Sequence, residues 1–517
     1  MNVLPLITIL TAVPLIGALG VLGLGAQNKK NARGLALTFN FIALALTLVL
    51  WHRFNPASGV LQFEELHTWI PAIGVQYHVG IDGLGLLMLL LSAIVVPMAI
   101  AASWQIEEGT TLYFSLILFL QAGLFGTFTA LNFFHWFLFW ELSLIPAFFL
   151  IRLWGGPQRA AAATQFFVYT MVGSVALLLA FLAIFQCTGT FDFIGLSELA
   201  RNGQLIPALA GKMGLHRLAP QQIALIIFCG AFLGFAVKVP LMPFHTWLPE
   251  AYAEAPTSTT MLLTGAMSKM GVYGFLRILL PIFYVEMRSM RTPLLWLAVA
   301  TIILSAYAAL AQTDLKRILA YSSINHLGYC MLGIFSVAGF TGDHPAFATA
   351  KVAALNGVIL QMFNHGLTAA TLFWFVALLE KRSGGLRGLN DFGGLRRVAP
   401  IFCGLMGIAL FSSLGLPGLN GFVGEFLIFR GAFPLATWAT ALAVLGLLAT
   451  AIFILTILQH VFSGPLNGRW SRLQDLTIGE RLALLPAIAI MFVLGIYPQL
   501  VLGVINSTAI NMTQQLR

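Results

Sequence analysis

Six ionisable residues lie inside long apolar runs, in the order acid, base, base, histidine, histidine, acid. Glu141 lies in Phe137-Leu-Phe-Trp-Glu141-Leu-Ser-Leu-Ile-Pro146, and Lys238 closes the run that begins at Ile223. Lys269 lies in Gly265-Ala-Met-Ser-Lys269-Met-Gly and His326 in Ser323-Ile-Asn-His326-Leu-Gly. His365 lies in Gln361-Met-Phe-Asn-His365-Gly, and Glu425 in Gly421-Phe-Val-Gly-Glu425-Phe. An ammonium at the centre of a bilayer costs ~2.5–3.5 kcal/mol or more. Groups of these types suit stepwise proton transfer. Burial disfavours a charged lysine, and a nearby carboxylate favours it again. A Glu–Lys pair that can separate is therefore a switch, and histidine needs little tuning to serve as a link. Each residue taken singly has a plainer reading as a hydrogen-bonding post in a helix bundle. The lysines fit that reading least, because their burial costs most.

The elements that must hold these groups are helices in lipid. The chain has 517 residues, 59% hydrophobic and only 9% charged, with a mean hydropathy of +0.91. Soluble domains carry about 25% charged residues. Apolar runs near the ~20 residues needed to cross a bilayer recur roughly fourteen times. The expected fold is an all-α polytopic membrane protein in one membrane domain. Its expected parts are N-terminal helices over 1–111, a first repeat over 112–281, a second over 293–462 and a C-terminal helix over 463–517. The N-terminus has no basic stretch and no small-residue cleavage site, so its first apolar segment is expected to be a retained span. No Arg/Ser-rich transit sequence precedes it, as in bacterial or organelle-encoded chains.

Two spans are interrupted. In the seventh, near 221–243, Pro240 and Pro243 remove backbone donors just after Lys238. In the twelfth, near 400–428, Gly415, Pro417, Gly418 and Gly421 precede Glu425. The breaks stand five helices apart, which suggests two five-helix repeats of opposite orientation. The run over 348–379 is longer than one crossing needs and is expected to tilt or bend.

The formal net charge is +9, concentrated in short loops. Lys29, Lys30, Arg33, Arg152, Arg159, Lys316, Arg317, Lys381, Arg382, Arg387, Arg396, Arg397, Arg469 and Arg472 fall on one side, which should be cytoplasmic. That use of charge argues against nucleic acid as a partner. Arg277, Arg288 and Arg291 fall on the other side and run against the trend. The stretch 187–220 reads as an external cap. Asp82 stands at a helix start, where it can cap free amides. Asp314, Lys316 and Arg317 mark a span boundary, with local pairing or headgroup anchoring both open. Glu250 and Glu254 read as a solvated loop or a cation funnel. The four cysteines read as small apolar filler, with no metal or iron–sulfur spacing. No Walker A sequence, dinucleotide-binding GxGxxG unit, HExxH or haem motif occurs, so this chain has no evident means of hydrolysing nucleotide or carrying electrons.

Long motifs give the chain a family resemblance. Lys238-Val-Pro-Leu-Met-Pro-Phe-His-Thr-Trp-Leu-Pro-Glu-Ala-Tyr-Ala-Glu-Ala-Pro-Thr257 resembles the signature of the antiporter-like proton-pumping subunits of respiratory complex I. The likeness continues through Gly265–Gly274, Asp314–Gly328 and Gly415–Phe426, and covers nearly the whole chain. M-type members, called subunit 4 in mitochondria, carry a glutamate where L-type and N-type members carry a lysine. Glu425 fits the M-type, as does the lack of the long lateral helix that the L-type adds.

The resemblance implies fourteen transmembrane helices with inverted repeats and discontinuous helices seven and twelve. It implies that Glu141 and Lys238 form the switching ion pair, and that Lys269 and His326 form a central axis. His365 would be a nearby relay and Glu425 the exit-side group. Tyr252 stands where the family loop usually has histidine, and it is assigned no proton role. No cofactor is expected in this chain; NADH, FMN, iron–sulfur clusters and quinone belong to partner subunits. The implied partners are L-type and N-type neighbours, the lipid bilayer and protons, in a bacterial inner membrane. Alternatives are a subunit of a multisubunit sodium–proton antiporter, of a membrane hydrogenase or of a ferredoxin:plastoquinone complex. A passive anchor is a further one, and would tolerate apolar replacement of the buried lysines.

Overall fold

With no water in a bilayer core, each backbone N–H and C=O must be satisfied within the protein, and helices do this within one segment. The computed structural model describes residues 4–212, 217–339 and 345–516, and they are overwhelmingly helical. Among them, 11 helices are long and apolar enough to cross a membrane. The difference from the expected fourteen has local causes. Leu6–Leu22 is shorter, at 17 residues. The segment 257–282 is broken by two widened π turns, Leu263–Met267 and Phe275–Leu279. The twelfth segment is divided into Pro400–Leu414 and Asn420–Leu435. Leu315–Ala338 and the helix Pro345–Ser383 run through the middle of the bundle and are the most buried. Pro345–Ser383 is one helix of 39 residues, roughly 58 Å at 1.5 Å per residue.

Both interruptions are present, and each is stabilised by its own chemistry. The helix Pro220–Lys238 ends at Lys238. Trp247 Nε1 donates to the Val237 carbonyl at 3.0 Å, and Thr301 Oγ1 accepts from the Met242 N–H at 3.1 Å. The chain resumes as the helix Trp247–Glu254. At the second break Gly415 takes φ +80°, a left-handed conformation that a side chain disfavours. Asn364 Nδ2 then donates to the Asn420 carbonyl at 2.6 Å, and Ser412 Oγ donates to Asn420 Oδ1 at 2.5 Å.

The face bearing the basic loops is cross-linked by charge. Glu107 pairs with Lys29 and Arg33 at 3.0 and 2.7 Å. Arg387 pairs with Asp314, and Arg382 with Glu480. Glu250 and Glu254 differ from the loop expected for them, because they lie on the helix Trp247–Glu254. Glu250 receives both arms of the Arg317 guanidinium, at 2.7 and 2.8 Å. Glu254 is buried and accepts from the Gln158 N–H at 2.9 Å. Asp314 accepts from the amides of Lys316 and Arg317, so its local role is helix capping as well as pairing.

The opposite face carries a β-hairpin that the helical reading did not include. Strands Gln62–Ile70 and Val75–Ile81 pair antiparallel. The turn between them closes at Gly74, with φ +63°. Part of the expected external cap forms the helices Phe193–Arg201 and Leu205–Lys212. Asp82 caps the next helix by accepting from the Gly85 N–H at 3.1 Å. Its other partner explains one wrong-side base: Arg277 Nη2 lies 2.5 Å from Asp82 Oδ1.

His78 fastens hairpin to cap. Its Nδ1 is 2.6 Å from Asp192 Oδ2 and its Nε2 2.8 Å from Glu64 Oε1. Burial opposes the charged ring, but the two carboxylates outweigh it and raise the His78 pKa above 6.5. A raised folded pKa stabilises fully below the unfolded value and is lost as pH rises through the folded one. Amide exchange over residues 62–81, corrected for intrinsic pH dependence, should therefore quicken as pH climbs through that window. His78→Gln should flatten the response. At the second break, a Cβ on Gly415 would come 2.9 Å from Glu425 Oε2. Gly415→Ala should lower stability by roughly 1–3 kcal/mol, seen as a fall in melting temperature. Gly404→Ala, at a helical glycine with nothing within 4 Å, should be neutral or stabilising.

Candidate functional site

Four of the six ionisable residues form one contiguous row. Lys269 is fully buried between the two π turns. Its ammonium donates to the Thr264 carbonyl and lies 3.3 Å from Ser268 Oγ. It also lies 2.9 Å from His365 Nδ1. The His365 and His326 rings follow, with centroids 5.0 Å apart. His326 Nδ1 is 2.8 Å from Glu425 Oε1, off the line that a ring N–H hydrogen bond needs. On its other edge, Nε2 lies 3.2 Å from Ser413 Oγ. Lysine, two imidazoles and a carboxylate thus follow one another across four helical segments.

Local sequence explains why they meet. The π turn at Leu263–Met267 places Lys269 so that it folds back on the Thr264 carbonyl; such widened turns often mark functional sites. His326 and His365 lie on the two central helices. The second break delivers Glu425 on the first turns after Asn420. Gln361, one turn before His365, donates to Glu425 Oε1 at 3.1 Å. A small polar cavity lined by His326, Gln361, Asn364, His365, Ser413 and Glu425 has room for about one water molecule.

Glu141 and Lys238 occupy the other half of the molecule. Lys238 is 3% exposed, and its ammonium sits 4.8 Å from the centroid of the Trp140 ring. A cation over an indole face is stabilised by ~2 kcal/mol or more when desolvated. Trp140 is itself held by its Nε1 donating to Ser174 Oγ at 2.9 Å. Glu141, the next residue, keeps Oε1 buried without a hydrogen-bond donor. The two charges act on each other only through space. The expected pair is therefore adjacent but not closed here, and no described contact joins Lys238 to Lys269.

The residue list drawn from sequence lacks several members of the site. Trp140, Gln361 and Ser413 were legible only as neighbours, although Gln361 stands four residues from His365 and shares its helix face. The hydroxyl run Thr257-Ser-Thr-Thr260, with Thr264 and Ser268 beyond it, was a second signal. Tyr252 is a third. It is fully buried, and its hydroxyl faces Thr264 and Ser268.

Comparison with known proteins agrees with this geometry. Residues 130–452 match the family model described as NADH:quinone oxidoreductase/Mrp antiporter, TM. The chain is 35% identical over 514 residues to NADH-quinone oxidoreductase subunit M of Rhodobacter capsulatus, covering 98% of this chain and 96% of that one. It is 31% identical over 547 residues to the Mycobacterium tuberculosis protein of the same name, covering 99% and 94%. Among solved structures, it superposes on a chain of respiratory complex I from Thermus thermophilus with a TM-score of 0.83 and 28% identity, covering 99% and 100%. A chain of the Mrp complex from Dietzia shares the fold, with a TM-score of 0.81 at 20% identity over both whole chains. With the full-length relatives, the two interrupted helices and the buried Lys–His–His–Glu row in place, the chain belongs to the NADH:quinone oxidoreductase/Mrp antiporter family of membrane subunits, among those of the subunit M type.

Proposed function

We propose that this chain is the subunit M of a bacterial, proton-pumping NADH:quinone oxidoreductase, and that its buried charges carry protons through the membrane arm. The observation that carries the reading is the row Lys269, His365, His326, Glu425, continuous by contact and sealed from solvent. Each step joins a group that can hold a proton to one that can accept it. A bundle needing only stability would not bury these groups together, since an apolar replacement is often neutral or better.

In this reading Glu141 and Lys238 form the switch. Closed, the carboxylate favours the lysine's charge; open, Trp140 hosts the ammonium. The change in field at the Lys238 end would alter how readily Lys269 gives up its proton to His365. From there His326 passes it to Glu425 on the exit side. The domain plan of two five-helix repeats, 112–281 and 293–462, puts one interrupted helix in each, with Glu141, Lys238 and Lys269 in the first and His326, His365 and Glu425 in the second. The orientation that puts the basic loops in the cytoplasm follows from their charge. Neighbouring L-type and N-type subunits, in a bacterial cytoplasmic membrane, complete the arm. NADH, FMN, iron–sulfur clusters and quinone belong to partner subunits, whose redox reactions supply the energy through conformational and electrostatic coupling.

The second reading is a subunit of a sodium–proton antiporter, favoured by the fold shared with the Mrp complex chain. Affinity purification separates the two: co-purifying flavin and iron–sulfur subunits support the first. In assembled complex, Lys238→Ala or Lys269→Ala should lower NADH-driven proton pumping and quinone-coupled turnover severalfold. Full proton-to-electron stoichiometry in both variants would contradict the proposal.

A further inference from the structure

The indole that faces the Lys238 ammonium and the Glu141 carboxylate share a neighbour, Ser174. It lies midway along the helix Arg159–Thr188 and is 2% exposed. Its oxygen accepts from Trp140 Nε1 at 2.9 Å. Its hydroxyl also faces the Glu141 carboxylate. A serine hydroxyl carries one proton and two lone pairs, so it can accept from the indole and donate to the carboxylate at once. An indole N–H only donates and an ionised carboxylate only accepts. The direction of both interactions is therefore fixed.

Packing holds Ser174 in register with Lys238. At Gly173, the residue before it, an added Cβ would come 3.2 Å from Val237 Cβ and 3.3 Å from Gly234 Cα. The helices Arg159–Thr188 and Pro220–Lys238 thus meet backbone to backbone, beside Ser174 on one and Lys238 on the other. The Trp140 ring is fixed edge-on against Phe235, with centroids 5.7 Å apart. Thr170 stands one turn before Ser174 and shares its helix face. Its hydroxyl donates within its own helix, to the Phe166 carbonyl at 2.7 Å. Ser174 is engaged across the helix interface instead.

We propose that Ser174 is a positioning residue for the Glu141–Lys238 pair, its one hydroxyl holding the indole that faces the ammonium and donating to the carboxylate when the ammonium stands apart. The inference rests on the switch reading given above. A hydrogen bond donated to a charged group favours the charged form. With the pair apart, Glu141 thus keeps its charge and can attract Lys238 again. With the pair closed, the lysine takes over that contact. No proton leaves the Ser174 hydroxyl, and no bond forms or breaks beyond hydrogen bonds. The charged group facing Glu141 is Lys238. The helix Thr110–Thr129, packed on the Glu141 helix, carries no Asp, Glu, Lys, Arg or His. The segment Ser268–Gly274 meets that helix at Ser143 through Met270, and its Lys269 turns to His365. The hairpin meets the helix at its outer end, where the Tyr77 and His135 rings lie 4.8 Å apart.

The test uses the assembled complex in liposomes, with NADH-driven proton pumping measured over a pH series. Ser174→Ala removes the hydroxyl and leaves the backbone contact in place. Without the donor, Glu141 takes up a proton sooner as pH falls, and a neutral carboxyl cannot attract the lysine. The variant should pump close to the wild-type rate at the alkaline end and lose rate at the acid end. The acid limb of the profile should move toward neutral pH by about one unit. Ser174→Thr, which keeps the hydroxyl, should restore most of the wild-type limb. An unshifted limb for Ser174→Ala would overturn the inference. So would an equal loss at every pH that threonine does not rescue, since that marks packing alone. Glu141→Gln is measured alongside: if it is impaired while Ser174→Ala keeps the wild-type profile, only the positioning role fails; if neither is impaired, the switch reading fails too. Should Ser174→Ala assemble poorly, Ser174→Cys, which stays close to serine in size and donates only weakly, is judged by the same criteria.

Discussion

Lys269 sits fully buried with a carbonyl, a hydroxyl and an imidazole around its ammonium, and no carboxylate. That arrangement sets demands on everything near it. A lysine with a partnered carboxylate would hold its proton firmly. One with only neutral neighbours releases it at a smaller cost. The π turns on either side, the central position of the helices Leu315–Ala338 and Pro345–Ser383 and the hydroxyl of Ser268 all keep polar atoms close without supplying a fixed counter-charge. The carboxylate that completes the row, Glu425, lies beyond two imidazoles instead.

The interrupted helices follow from the same economy of charge. Backbone left unpaired in lipid is tolerated only where protein covers it. Here Trp247, Thr301 and Asn364 perform that cover with side-chain hydrogen bonds. The first break ends a helix at Lys238, and the second begins one shortly before Glu425. Both breaks thus place an ionisable side chain where the chain has exchanged regular helix for looser packing. Trp140 adds a different device. It places an indole face 4.8 Å from the Lys238 ammonium, beside Glu141.

Much of this was legible in the sequence because it rests on cost. A lysine, glutamate or histidine in a long apolar run is conspicuous, and a proline or glycine cluster marks a break. All six ionisable residues are buried or partly buried on helices, and four of them touch in a row. Other features had weaker signals. The π turns leave no mark in composition, so nothing in the sequence sets residues 257–281 apart from a plain span. The hairpin over residues 62–81 alternates too loosely to stand out beside helices. Glu254 read as a loop residue because its burial depends on Gln158, far away in the chain. The Glu141–Lys238 separation could not be read at all, since sequence carries residue types and spacing but not the distance between two side chains. Tyr252 was set aside on family grounds, and its placement against Thr264 and Ser268, beside Lys269, is visible only in the fold.

The central claim is that Lys269, His365, His326 and Glu425 act as one path. Its most direct test is a double-mutant cycle on NADH-driven proton pumping in reconstituted complex, comparing Lys269→Met, His365→Leu and the double variant. Groups acting as a unit are non-additive. The account predicts that each single variant falls to a similar residual rate and that the double variant falls no further. Losses that multiply in the double variant would mean that the two residues serve separate routes, and would contradict it.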